Sequence, residues 1–266
     1  MTPQLANPYR PAKFVPCFVQ PKLNGVRMLY QNGVGFSRDE HEFTPAVIAH
    51  IVEALNPISD AKDLILDGEL YVHGWSLQDI NGAVAINRKA ARKDTHEIQY
   101  HIFDCVTNEY FDQRYLRLFE LFALAKSPIK LVKTQFIDDK ETGDELFAKY
   151  VDEGYEGIMY RDCDMHYQQK RSNALRKRKG WQDDEFPILS VIEGEGKRTG
   201  MVGAFVCQAR NGSTFRVGTG LGWTNAELTR LFHDQPINQR LTVKYITLSR
   251  DGIPQNPSAQ NLREHA

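Results

Sequence analysis

No stretch of this sequence is apolar for long enough to cross a bilayer, and its first residues, MTPQLANPYRPAKF, lack the hydrophobic segment of a secretion signal. A cytoplasmic protein with no membrane partner is therefore expected. The four cysteines, Cys17, Cys105, Cys163 and Cys207, contain no CxxC pair, which argues against a zinc site or a disulfide framework and for reduced core residues. Net charge is also nearly absent. With 33 basic and 34 acidic residues the formal charge is -1, so no overall positive field draws the chain to a polyanion. Internal repeats are lacking as well, and with them the solenoid and array architectures.

What is present is an ordinary globular composition, 41% hydrophobic and 25% charged over 266 residues, enough for one large domain or two unequal ones. Charge is distributed unevenly along it. The segment KRSNALRKRK, Lys170 to Lys179, holds six basic and no acidic residues, and NRKAARK at Asn87 to Lys93 holds four and none. The second run reads equally well as a solvated helix face.

In FVQPKLNGVRMLYQNGVGFSR two apolar stretches join at Asn32-Gly33, a dipeptide suited to a tight hairpin turn, which puts Lys22 at the mouth of a hairpin. LILDGELYV reads as a buried strand, and Asp67 and Glu69, two residues apart, share one of its faces. YHIFDCV is another strand, followed by RYLRLFELFALA with apolar residues at helical spacing. A helix from Thr142 to Glu153 is expected, with Thr142 and Glu145 as a capping box and a stop at Gly154. After Phe186 the pattern turns to short strands, ILSVIEG, GAFVCQAR, STFRVG and RLTVKYITLS, interrupted by one helix capped by Thr224 and Glu227. The fold class expected is α+β: antiparallel sheets with flanking helices over residues 1–186, then a small OB-type β-barrel over 187–266, with a hinge at Glu185 to Pro187.

KxxGxR alone occurs by chance on many exposed hairpins. Here the order KLNGVR, LDGELY, HIFD, EGIMYR and LRKRK resembles the five nucleotidyltransferase motifs of the superfamily that contains ATP-dependent DNA ligases, RNA ligases and capping enzymes. GEGKRTGMVGAF, FRVGTGL and DGIPQNPSAQNLR resemble the OB domain of DNA ligases, which favours a minimal two-domain ATP-dependent DNA ligase within that superfamily.

The resemblance implies a chemistry. Lys22 is the nucleophile that takes AMP from ATP, and Lys177 and Lys179 match the lysines of the last motif. Glu69 and Glu156 match carboxylates that contact the ribose or hold Mg²⁺, and Phe103 matches the aromatic residue that stacks on adenine. Arg27 follows the lysine motif at the nucleotide or the DNA, and Arg38 resembles an arginine that holds the 5′-phosphate. Arg176 and Arg178, on the other strand face, are expected at the DNA backbone. A lysine with an ordinary pKa needs roughly 4.6 kcal/mol to shed its proton at pH 7, and nearby cations lower that cost. The implied partner is nicked duplex DNA bound by a monomer, in a replication or repair role. ATP is favoured over NAD as donor because members that use NAD carry a further domain before the lysine, and here 21 residues precede it.

The sequence departs from the family in two places. Asn24 stands where an aspartate is usual, and PQNP stands where ligases more often carry a basic and an aromatic residue, which bears on Arg263. The rival readings are an RNA ligase or capping-type nucleotidyltransferase, and a non-catalytic nucleic-acid-binding protein.

Overall fold

The computed structural model describes residues 2–58, 64–249 and 251–263. They form two compact units, Met1–Lys179 and Gly180–Ala266. The division falls seven residues before the boundary expected at Pro187. Residues 185–187, expected as a hinge, lie within a strand of the second unit and pair with Thr242, Leu241 and Arg240. A proline there reads from sequence as punctuation, yet at that position it ends no strand.

The first unit begins with β1 (Leu5–Pro8), β2 (Cys17–Lys22), β3 (Val26–Gln31), β4 (Val34–Phe36), α1 (Pro45–Leu55), β5 (Ile65–Tyr71) and α2 (Leu77–Val84). It continues with β6 (Gln99–Val106), α3 (Phe111–Phe122), β7 (Ile129–Leu131), β8 (Gln135–Ile137), α4 (Lys140–Asp152), β9 (Gly157–Asp162) and β10 (Arg171–Lys179). Two five-stranded sheets result, ordered β1-β10-β9-β2-β8 and β4-β3-β5-β6-β7, mostly antiparallel. The expected turn is present, with Asn32 at φ 50 and Gly33 at φ 86, but it joins β3 to β4. Lys22 is therefore not at a hairpin mouth. It ends β2 in one sheet, and Leu23 to Gly25 carry the chain across to the other. The crossing is tight, because a Cβ on Gly25 would lie 2.3 Å from the Leu70 carbonyl oxygen.

Apolar residues on the inner faces of β3, β5 and β6 pack with α1 in one core that includes Met28, Ile48, Leu66 and Ile102, all buried. A smaller core under α4 gathers Val19, Tyr150, Ile158 and Tyr160. The cap of α4 differs from expectation. Asp139 accepts from the Thr142 backbone N–H at 2.7 Å, so the helix starts at Lys140 and Thr142 lies inside its first turn. Asp139 is as good a capping residue as threonine and sits one turn earlier.

The second unit contains β11 (Gln182–Glu193), β12 (Val202–Gln208), β13 (Thr214–Gly218), α5 (Asn225–Asp234), β14 (Arg240–Tyr245) and β15 (Ser258–Leu262). Its strands close into a barrel in the order β11-β12-β13-β15-β14, and the Thr224–Glu227 capping box opens α5 as expected. Cys17, Cys105 and Cys207 are buried and all four cysteines are free, with Cys163 only half-buried. Among the described residues no helix is long and apolar enough to cross a membrane.

Candidate active site

A cleft of about 840 Å³ opens in the first unit, and both of its sheets contribute walls. From one come Leu5, Gln20, Lys22, Arg161 and Lys177; from the other come Val26, Arg27, Glu69 and Phe103. The chain crossing at Leu23 to Gly25 is thus what brings the lysine motif into the space between the sheets.

Glu156 precedes β9 and is 6% exposed at its side chain. One oxygen pairs with Lys22 Nζ, and the other lies 2.9 Å from Lys179 Nζ. Burial works against the charged carboxylate, but the Lys22 and Lys179 ammonium groups more than offset it and hold Glu156 below the ordinary glutamate range. Lys177 lines the cleft without an ion pair among the described residues, and burial together with the Lys179 and Lys22 charges pushes its pKa down.

Glu69 lies across the cleft on β5. Among the described residues none donates a hydrogen bond to its carboxylate, and burial pushes it up to about 7, against the pull of Lys22 and Arg27. Asp67 shares the strand face, as the spacing of two requires, yet only Glu69 lines the cleft. Asp67 is fully buried and holds Arg27 in a forked pair, Nε to Oδ1 at 2.8 Å and Nη2 to Oδ2 at 2.5 Å. That pair sustains the Arg27 charge against the cost of burial.

Phe103 faces the cleft with the guanidinium carbons of Arg27 and Arg161 at 5.3 and 5.1 Å from its ring centroid. Behind it lies a buried polar network. Gln20 donates to the Phe103 carbonyl (3.1 Å) and to Thr134 Oγ1 (2.8 Å), and accepts from Arg161 Nε (2.7 Å). Asp104 accepts from Arg161 and from Nε and Nη2 of Arg114. Every functional group of Gln20 is used, so the backbone that carries Phe103 is held from below. Sequence reading left Gln20, Asp104 and Arg161 without a role, although Asp104 and Arg161 fall inside the motifs HIFD and EGIMYR.

The alternation of β10 divides its basic residues. Lys177 turns to the cleft, whereas Arg176 is 8% exposed and paired with Asp162, its Nη1 reaching the Lys13 carbonyl at 3.3 Å. The expectation that Arg176 meets a DNA backbone does not fit this place, because a buried guanidinium committed to a carboxylate presents nothing to a phosphate. Arg178 pairs with Asp144 and packs 3.9 Å over the Phe147 ring of α4, leaving 30% of its side chain exposed. Arg38 is open to solvent at the cleft rim, 3.5 Å from Asp39.

The structure therefore gathers Lys22, Arg27, Glu69, Phe103 and Lys177 around one space, with Glu156 tying Lys22 to Lys179 beside it. Arg176 and Arg178 lie on the opposite face. Among the described residues no group of three or more His, Cys, Asp or Glu forms a ready-made metal cage. Mg²⁺ needs none, since it binds through one or two carboxylates plus phosphates and water. Glu69, without a donor, fits that part; Glu156, engaged by two ammonium groups, does not.

Comparison with known proteins adds the following. Residues 3–179 match the family model described as ATP dependent DNA ligase domain, and residues 193–263 match that of a DNA ligase OB-like domain. A DNA ligase of African swine fever virus is 31% identical over 273 aligned residues, covering 92% of this chain and 63% of its own, so the chain spans less than two thirds of that relative. A Lig E DNA ligase structure superposes with a TM-score of 0.80 at 22% identity, over 99% of both chains. The Chlorella virus DNA ligase-adenylate gives 0.59 at 21% identity, over 100% of this chain and 99% of that one.

Proposed function

The chain belongs to the ATP-dependent DNA ligase family, and from that premise we propose that it seals nicks in duplex DNA through an AMP adduct on Lys22. The observation that carries this reading is the placement of Lys22 Nζ in a cleft shared with Glu69, Phe103 and Lys177, in contact with a carboxylate that also holds Lys179.

The reaction begins with the Lys22 amine. Its lone pair attacks the α-phosphorus of ATP, the bond to the β-phosphate oxygen breaks, and pyrophosphate leaves. The amine must first lose a proton, and Glu156 Oε2 is the acceptor already in contact with it. Lys177 and Lys179 place positive charge where the leaving phosphates gain negative charge, the largest kind of contribution such sites make. Phe103 offers its ring to the base, where stacking is worth about 1–3 kcal/mol. Mg²⁺ held by Glu69 would supply charge neutralisation at the phosphates. AMP then passes from Lys22 to the 5′-phosphate at the nick, and the 3′-hydroxyl displaces it. Arg38, exposed at the rim, is suited to the 5′-phosphate.

The test is intact-mass measurement after incubation with ATP and Mg²⁺, followed by addition of nicked DNA, nicked RNA or no substrate. Wild type gains one adenylate and loses it to nicked DNA, and Lys22→Ala gains none. A wild-type chain that takes no adenylate from ATP, or takes GMP from GTP in preference, overturns the reading.

A further inference from the structure

Tyr167 lies in the segment between β9 and β10, outside every motif quoted above. Its hydroxyl donates to Asp67 Oδ2 at 2.7 Å and accepts from the Gln4 backbone N–H at 3.0 Å. Asp67 holds Arg27, and Arg27 Nη1 donates in turn to the Gln4 carbonyl at 2.7 Å. Four residues from four separate parts of the chain thus close a ring of hydrogen bonds, with Gln4 both donor and acceptor. Gln4 is 3% exposed and Asp67 not at all, so water does not readily replace a lost partner.

Two walls of the nucleotide cleft hang on this ring. Arg27 faces the cleft beside Phe103, and Leu5 and Ala6, which follow Gln4, line the cleft opposite β5. We propose that Tyr167 is a positioning residue for nucleotide binding: its hydroxyl fixes the Arg27 guanidinium and the N-terminal strand together, and so sets the geometry of the cleft before ATP enters. The inference rests on the adenylation reading above. It assigns Tyr167 no contact with ATP and no part in bond making.

Tyr167→Phe removes only the hydroxyl, since the ring still packs with the Arg114 guanidinium 5.7 Å from its centroid. The Gln4 N–H then loses its acceptor and Asp67 one of its donors. Loss of a hydrogen bond to a charged group corresponds to roughly a 10- to 100-fold change. The KM for ATP in single-turnover adenylation should rise within that range, while the saturated rate and the transfer of preformed adenylate to nicked DNA stay as in wild type. A chain that starts at Leu5 should show the same rise in KM, and adding Tyr167→Phe to it should change nothing further, because both changes open one ring. Adenylation by wild type is the control for the reading itself. If wild type is adenylated and Tyr167→Phe keeps the wild-type KM, or if the two changes multiply, the proposal is overturned. Should Tyr167→Phe fail to fold, the shortened chain carries the test alone, and an unchanged KM there overturns it equally.

Discussion

Lys22 Nζ rests on one oxygen of Glu156 while Lys179 holds the other. One buried carboxylate therefore serves two ammonium groups from different strands, and the amine proposed as nucleophile is charge-paired before any nucleotide arrives. Removal of its proton and removal of its partner are linked events.

Glu156→Gln separates them. The amide keeps the size and can still accept one hydrogen bond, but it takes no proton and balances no charge. We expect the single-turnover rate of adenylation to fall by about 10²-fold, the lower end of what a positioned base contributes. Circular dichroism should report a folded chain. A wild-type rate would remove Glu156 from the proton path.

Glu69 makes a prediction about pH. Its carboxyl is held up to about 7 from an ordinary 4.5, chiefly by burial, so between those values the folded chain keeps a proton that the unfolded chain has released. Its contribution to stability is therefore lost progressively as pH rises through that window. Glu69→Gln has no such loss, and the difference in melting temperature between variant and wild type should move in the variant's favour from pH 4.5 to 7. Adenylation by wild type should rise over the upper part of the same window as the carboxylate forms, a rise absent from the variant. A constant stability difference across the window would contradict the burial of this group.

Arg176 and Arg38 divide structure from binding. Arg176→Ala strands Asp162, whose carboxyl burial already pushes up, and should cost about 3 kcal/mol in urea unfolding. The salt dependence of DNA binding should stay as in wild type. Arg38→Ala should leave stability alone and lower the slope of log K against log salt by about one. Exchanged outcomes would mean that Arg176 is the residue exposed to DNA.

Much of this was legible because the chemistry is local in sequence. KLNGVR, LDGELY, HIFD and EGIMYR each carry their key residue on a strand or at its end, and period-two spacing fixed which neighbours share a face. The barrel was equally readable, its short strands punctuated by Asn211-Gly212 and its one helix capped at Thr224. What stayed hidden depends on contacts across the chain. Nothing near Tyr167 indicates that it meets Gln4, 163 positions away, and nothing near Gln20 announces Thr134 or Arg161. Lys22 reads from sequence as the mouth of the Asn32-Gly33 hairpin for a related reason: that turn fixes β3 against β4, but no local signal tells that β2 belongs to another sheet. Pro187 misled because proline is read as a stop, and only the register with Arg240 reveals it inside a strand.

The alternation along β10 has a consequence for how this segment can vary. Lys177 lines the cleft and Lys179 pairs with Glu156 beside it, while Arg176 and Arg178 anchor carboxylates beneath, so the two duties are separated only by odd and even position. Loss or gain of a single residue between Arg171 and Lys179 would exchange them, burying ammonium groups against Asp162 and Asp144 and pressing guanidinium forks toward the nucleotide. A point substitution here disturbs one duty at a time, whereas a change of length keeps both in place only in steps of two.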